Sequence, residues 1–179
     1  MPGYAGVQMP GLGSAPIPAV RADDHVRGAP GLALVVVYGD FACPRCAVAW
    51  ERLAGEPVRL VFRHFALRAK HPRAVALACA AEAAGRQGAF WPWADATYRD
   101  HGHLDDPHLW ARAQSLDLDL DRFEADRRDP AVAARVAADV RDGLRAGAIA
   151  TPTLFVDGEA HPGAPEPALL ARLRAGRAA

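Results

Sequence analysis

The spacing of apolar residues changes several times along this chain, and each change marks a structural element. A continuous apolar, β-branched run at 34–38, Leu34-Val35-Val36-Val37-Tyr38, predicts a strand buried on both faces. Residues 44–53 take helical spacing, with Pro44 at the start and Gly55 and Pro57 just past the end, the usual punctuation of a short helix. Residues 58–65 alternate well enough for a second strand. From 72 to 147 the period turns helical. Val75, Leu77, Ala78, Ala81 and Glu82 fall in a first helix; Phe90, Trp93, Ala94, Thr97 and Tyr98 mark a second, with Pro92 tolerated in its first turn. Residues 106–116 form a third, with Asp106 as its cap before Pro107, 120–127 a short fourth, and 130–146 a longer fifth that stops near Gly147. Strand character returns at 153–156, Asp157-Gly158 supplies a two-residue hairpin turn into 159–161, and 167–174 closes as an amphipathic helix. The order is strand, helix, strand, helical block, strand, hairpin, helix, which predicts an α/β fold whose sheet is interrupted by a helical insertion over about 68–147.

Residues 1–23 read as a flexible tail, because Gly and Pro alternate there with small residues, and the folded domain is expected over 24–179. The tail has neither a basic start nor a continuous apolar centre, so it is not read as a secretory signal, and no run approaches the ~18 apolar residues of a membrane span. The expected setting is cytoplasmic or facing the cytoplasm. A chain of 179 residues suits one domain with a real core. Its 21 basic and 21 acidic side chains cancel, so there is no electrostatic footprint for nucleic acid. Three cysteines are too few for a disulfide scaffold, and an odd number leaves one over if two of them cycle together.

The chemistry concentrates where the first strand meets the first helix, in Tyr38-Gly39-Asp40-Phe41-Ala42-Cys43-Pro44-Arg45-Cys46. A Cys-x-x-Cys at such a junction reads as a redox dithiol. Cys43 falls at or near the helix N-cap, with Pro44 at the first helical position, where its missing N–H costs nothing. The free N–H groups of Arg45 and Cys46 then point at the Cys43 sulfur, and the Arg45 charge is expected to lower its pKa further. Cys43 is therefore the expected nucleophile, and Cys46, one turn deeper, the resolving thiol. The alternative is half of a zinc site, but zinc takes four protein ligands, or three when catalytic. Cys79 lies in a separate apolar helical pattern and reads as a small buried hydrophobe; His64, the nearest histidine downstream, lies in another strand. His101, His103, Asp105 and Asp106 could bind a metal on paper, yet a polar loop accounts for them, and no metal site is expected. Trp91, Trp93 and Trp110 are read as core of the helical block, and His64 and His71 as possible neighbours of the site without a role. By statistics alone, with about 5–6% of X–Pro bonds cis, Pro152 would be an ordinary trans proline at a strand start.

The chain resembles the DsbA-like thiol:disulfide oxidoreductases of the thioredoxin superfamily, from about Asp24 to its end. The resemblance rests on the dithiol segment, on Phe62-Arg63-His64-Phe65, Ala81-Glu82-Ala83-Ala84-Gly85, Phe90-Trp91, Leu118-Asp119-Leu120-Asp121-Arg122-Phe123 and Thr151-Pro152-Thr153-Leu154-Phe155-Val156. Asp24-His25-Val26-Arg27-Gly28 is similar to the lead-in of such domains fused to bacterial sodium/proton antiporters. The resemblance implies a thioredoxin-like fold, exchange with protein or small-molecule thiols and disulfides, and no cofactor beyond the Cys43–Cys46 pair. It also implies that Pro152 is a cis-proline facing the dithiol and that Thr151 offers backbone hydrogen bonds to substrate. Two positions depart from the family pattern: Val37 stands where relatives carry a buried acid, with Asp40 read as a solvated turn residue, and Ala150 replaces a glycine. Arg45 favours an oxidising potential, whereas a cytoplasmic setting favours net reduction. A redox-sensing or binding module without turnover is the second reading; a glutathione-dependent isomerase is the third, and Cys46 speaks against it.

Overall fold

The computed structural model describes residues 19–176. Its centre is the strand β2 (Ala33–Gly39), the β-branched run, which lies parallel to β3 (Val58–His64) with Val37 opposite Phe62 and Gly39 opposite His64. The helix α1 (Pro44–Leu53) connects them, as a parallel pair requires a crossover. On the other side of β2 runs the antiparallel β4 (Thr153–Val156), which turns through Asp157 and Gly158 into β5 (Glu159–Pro162). A short strand β1 (His25–Arg27) completes the sheet on the far edge of β3, giving the order β1-β3-β2-β4-β5. Between β3 and β4 come five helices: α2 (Ala74–Gly85), α3 (Phe90–Arg99), α4 (Asp106–Ser115), α5 (Leu120–Asp126) and α6 (Pro130–Ala146). The helix α7 (Pro167–Ala175) follows β5.

Alternation along β2 divides the core. Val35 and Val37 face one side with Cys43, Cys46, Trp50, Phe62, Phe90 and Trp93. Val36 and Tyr38 face the other with Val61, Phe65 and Phe155. A strand buried on both faces explains why its apolar run is unbroken rather than alternating. The second face is closed by α6, whose Gly143 admits the sheet: a Cβ there would stand 2.8 Å from Tyr38 Cδ1 and Phe65 Cδ2. Gly147 then ends α6 in the left-handed conformation, with φ 89°.

Four expectations need correction. The strand β1 adds to the expected order, since three residues with one apolar side chain are too short to show a period. The cap of α4 is Asp105, which accepts from the His108 N–H, and Asp106 is the first helical residue. Trp110 is 44% exposed and belongs to the surface, although Trp93 is fully buried. Residues 19–23, expected in the tail, are fastened to the sheet: Arg63 donates to the Ala19 carbonyl at 2.6 Å and to Asp24, and Arg21 bridges Asp24, Asp139 and Asp142. The rest of the expected tail lies outside the described residues.

Candidate active site

The turn that leaves β2 is built by Asp40. Its carbonyl accepts from the Cys43 N–H at 3.1 Å, and its carboxylate Oδ1 accepts from the Ala42 N–H at 2.8 Å, an Asx-type turn that re-aims the chain. Cys43 arrives at the N-cap in an extended conformation, φ −92° and ψ 117°, and Pro44 takes the first turn. Both thiols are free and buried.

The two sulfurs are driven apart in acidity. Cys43 is lowered to about 4, first by the hydrogen bond from the Cys46 thiol, against the cost of burial, and then by Thr151 and the main-chain N–H groups of Cys46 and Arg45. Arg45 therefore acts through its backbone; its exposed guanidinium reaches out towards Gly163, and the charge effect expected from the sequence is not among these leading causes. Cys46 is raised well above the usual thiol range by burial, by its bond to Cys43, and by the negative charges of Cys43 and Asp40. The Asp40 N–H, 3.4 Å from its sulfur, opposes that rise.

Thr151 and Pro152 face this pair across the site. The Thr151–Pro152 peptide bond is cis, and the Cys43 sulfur lies 3.5 Å from the Thr151 carbonyl oxygen, which accepts from it only when Cys43 is protonated. The Thr151 hydroxyl is buried and has no hydrogen-bond partner among the described residues, which leaves it available to a Cys43 thiolate. The loop is held from behind: Gly163 N–H donates to the Pro152 carbonyl at 2.7 Å, and the Thr153 hydroxyl to the Ala150 carbonyl at 2.7 Å. Pro44 and Arg45 are exposed beside it, and Ile149, two residues before Thr151, is 82% exposed.

Asp40, expected in solvent, is 1% exposed. Its second carboxylate oxygen meets His71 Nδ1 at 2.7 Å, and burial raises its pKa despite that partner. His71, without an assigned role in the sequence, comes from the loop between β3 and α2. Tyr98 on α3 brings a buried hydroxyl without a partner among the described residues to the same region, where it would stand 3.3 Å from a Cβ on Gly39. His101 also turns inward: its Nε2 is buried without a partner among the described residues, and its pKa is lowered by burial against the pull of Cys43. His103 stays at the surface, paired with Asp100, so the polar loop splits between two environments. Sequence spacing carries no sign of the Asp40–His71 contact, which spans 31 positions.

A second buried carboxylate lies further along the sheet. Glu82 Oε1 meets His25 Nε2 and His64 Nε2, each at 2.8 Å, and its other oxygen pairs with Arg135 at 2.9 Å. One ligand-type atom from each of His25, His64 and Glu82 lies within 4.8 Å of the others, a set distinct from the loop weighed in the sequence. Both Glu82 oxygens are engaged, by the two Nε2 atoms and by Arg135, a cation that opposes a metal ion at that carboxylate, while His64 Nδ1 is buried without a partner among the described residues. Cys79 is buried among Ala66, Ala78, Val132 and Val136 and takes no part in either site. A cavity of about 790 Å³ beside α1 is lined by Ala47, Trp50, Glu51, Asp95 and Tyr98, and neither Cys43 nor Cys46 lines it. No helix among the described residues is long and apolar enough to cross a membrane.

A family model described as Thioredoxin matches residues 21–173. Among curated relatives, the chain is 42% identical over 142 residues to a Na(+)/H(+) antiporter NhaA of Herminiimonas arsenicoxydans, covering 75% of this chain and 22% of that protein. It is 42% identical over 154 residues to Na(+)/H(+) antiporter NhaA 1 of Salinispora arenicola, covering 82% of this chain and 24% of the relative. The chain thus spans only 22% and 24% of the length of these two relatives. Among solved structures, a thioredoxin-like oxidoreductase from Silicibacter pomeroyi superimposes with a TM-score of 0.76 at 27% identity, over 89% of this chain and 95% of that one. DsbA2 of Pseudomonas aeruginosa does so with a TM-score of 0.66 at 26% identity, over 87% and 94%. With its five-stranded sheet, helical block and this match across most of its length, the chain belongs to the thioredoxin superfamily and is DsbA-like in structure.

Proposed function

We propose that this chain exchanges disulfides with protein or small-molecule thiols through Cys43 and Cys46. The observation that carries the reading is the opposite acidity of two adjacent sulfurs. Cys43, lowered to about 4, is a thiolate at neutral pH, while Cys46 is held as a thiol. In the reducing direction the Cys43 thiolate attacks one sulfur of a substrate disulfide, forming a mixed disulfide and releasing the other sulfur as a thiolate. Cys46 then loses its proton and attacks Cys43, so the Cys43–Cys46 bond forms and the second substrate thiolate leaves. Two electrons pass from the dithiol to the substrate; the oxidising direction is the reverse. Stabilising the Cys43 thiolate stabilises the reduced pair, which favours an oxidising potential. Thr151 supports substrate binding with its backbone, next to the sulfur, and Ile149 offers an apolar contact beside it. Pro44 and Arg45 support the site by shaping the helix start.

Alkylation at pH 6 followed by peptide mapping is expected to label Cys43 and to spare Cys46 and Cys79. Cys46→Ser is expected to accumulate mixed disulfides on Cys43 that the wild-type chain resolves, with insulin reduction lost in Cys43→Ser. Equal labelling of all three cysteines would sink the assignment of roles. The antiporter names of the relatives favour a second reading, a redox-sensing module attached to a transporter. A chain that cycles its dithiol with glutathione but does not reduce insulin would support it.

A further inference from the structure

Every turn of the proposed cycle requires a proton to leave a thiol that the fold has buried and made weakly acidic. Cys46 is 3% exposed and has no direct path to water. Thr151 and the backbone N–H groups of α1 serve Cys43, not this proton. On β2, Val37 is 3% exposed, packs in the apolar cluster with both cysteines and offers no proton acceptor. One acidic residue touches the thiol: Asp40, whose main-chain N–H lies 3.4 Å from the Cys46 sulfur, whose charge acts on that thiol, and whose enclosed carboxylate bonds Ala42 N–H and His71 rather than the thiol directly. Its other partner, His71, is 18% exposed at the side chain and so reaches from the enclosed carboxylate to solvent.

We propose that Asp40 and His71 form the proton exit of the resolving thiol, with Asp40 taking the proton of Cys46 and His71 passing it to water. The inference rests on the disulfide-exchange reading. In the resolving step the Asp40 carboxylate accepts the Cys46 proton as the Cys46 sulfur attacks Cys43; the Cys43–substrate bond breaks and the substrate leaves as a thiolate, which takes its proton from solvent. The proton on Asp40 passes along the 2.7 Å contact to His71 and out, restoring the carboxylate. The groups facing Asp40 are consistent with this traffic. Cys43 and Cys46 face it from the start of α1, Tyr98 from α3, His101 from the loop after α3 and His71 from the loop before α2. Tyr98 and His101 bring uncharged polar atoms without partners among the described residues, and none of the leading groups that set the Asp40 ionisation is an arginine or a lysine. An enclosed carboxylate without a fixed cation beside it can change its charge, whereas one locked to arginine cannot.

The test separates this role from simple electrostatics by sign. The Asp40 charge holds the Cys46 pKa up, so a purely electrostatic Asp40 predicts that Asp40→Asn makes Cys46 more acidic and speeds resolution. A proton acceptor predicts the opposite. The full-length chain, reduced, is mixed with glutathione disulfide, acid-quenched at intervals and weighed by mass spectrometry from pH 5 to 9. Asp40→Asn is expected to accumulate the glutathione adduct on Cys43 and to slow its resolution at least tenfold at pH 7, while adduct formation keeps its rate. His71→Gln is expected to slow resolution at neutral pH, less than Asp40→Asn does, and to shift its pH profile, and an unchanged rate and profile would overturn the role of His71. Unchanged or faster resolution in a folded Asp40→Asn overturns the proposal. A wild-type chain that forms no adduct overturns the exchange reading, and this role with it. A readout independent of any variant is the carboxyl carbon shift of Asp40 in the intact chain. It is expected to titrate above the usual aspartate range and to move down when the dithiol is oxidised, because the Cys43 thiolate charge is then gone. Titration in the usual range, unmoved by oxidation, also overturns it.

Discussion

Two enclosed carboxylates in this molecule pair with histidine, and they behave in opposite ways. Glu82 has two imidazoles on one oxygen, which against its burial hold its pKa far below the usual range, and the Arg135 guanidinium on the other. Asp40 has one imidazole and one main-chain N–H, and burial wins: its pKa rises. The difference lies in the number and charge of partners. A carboxylate with a fixed cation is a structural pin, here tying β1, β3, α2 and α6 together. One facing a thiolate and a single histidine is left able to take up a proton, and it sits where the dithiol needs one.

The largest expected effect breaks the pin. Glu82→Ala leaves Arg135, His25 and His64 without their shared partner, and should cost about 3–5 kcal/mol in urea unfolding. In the milder Glu82→Gln, the rate of Cys43 alkylation at pH 6 should stay within about twofold of wild type, since a loss of about 1.4 kcal/mol would be needed for a tenfold change. A collapse of Cys43 reactivity in folded Glu82→Gln would erase the distinction between the two sites.

Stability against pH should sharpen the comparison, with a smaller amplitude. Glu82 has a lowered folded pKa, so its contribution is full above the ordinary glutamate value of 4.5 and fades as pH falls below it. Asp40 has a raised one, so its ionisation penalises folding increasingly as pH climbs above 3.8. Asp40→Asn should therefore match wild type in acid and gain stability towards neutrality, within about 1 kcal/mol. Glu82→Gln should lose most at neutral pH and converge on wild type in acid. Urea titrations at several pH values check both signs, and parallel curves for the two variants would contradict them. An effect of comparable size concerns the edge of the pin. His25 stacks on Phe90 with ring centroids 3.4 Å apart and is 18% exposed at the side chain, so His25→Gln should cost only about 0.5–1.5 kcal/mol by the same measurement.

The dithiol is legible in the sequence because its parts are contiguous. Strand, turn, two cysteines, proline and helix all fall within residues 33–53, and local chemistry sets their geometry. The helical block is equally readable from period and caps, apart from the one-residue shift to Asp105. The two carboxylates are not. An aspartate three positions before a cysteine reads the same whether water or His71 covers it, and His71 is placed by the path of the chain after β3. Glu82 does leave a trace: it is a charged residue inside an otherwise apolar stretch of α2, Leu77-Ala78-Cys79-Ala80-Ala81-Glu82-Ala83-Ala84, and so needs a buried partner. Naming that partner requires β1, which is too short to show.

The Arg63 anchor has a mechanical consequence. Arg63 lies on β3, flanked by β1 and β2, and its 2.6 Å bond to the Ala19 carbonyl and its pair with Asp24 fasten the incoming chain to a strand inside the sheet. Tension applied at residue 19 is therefore delivered to the middle of the fold as shear across an ion pair. Peeling of an edge strand would need far less force, so a tether attached there loads the scaffold before it can disturb the sulfurs.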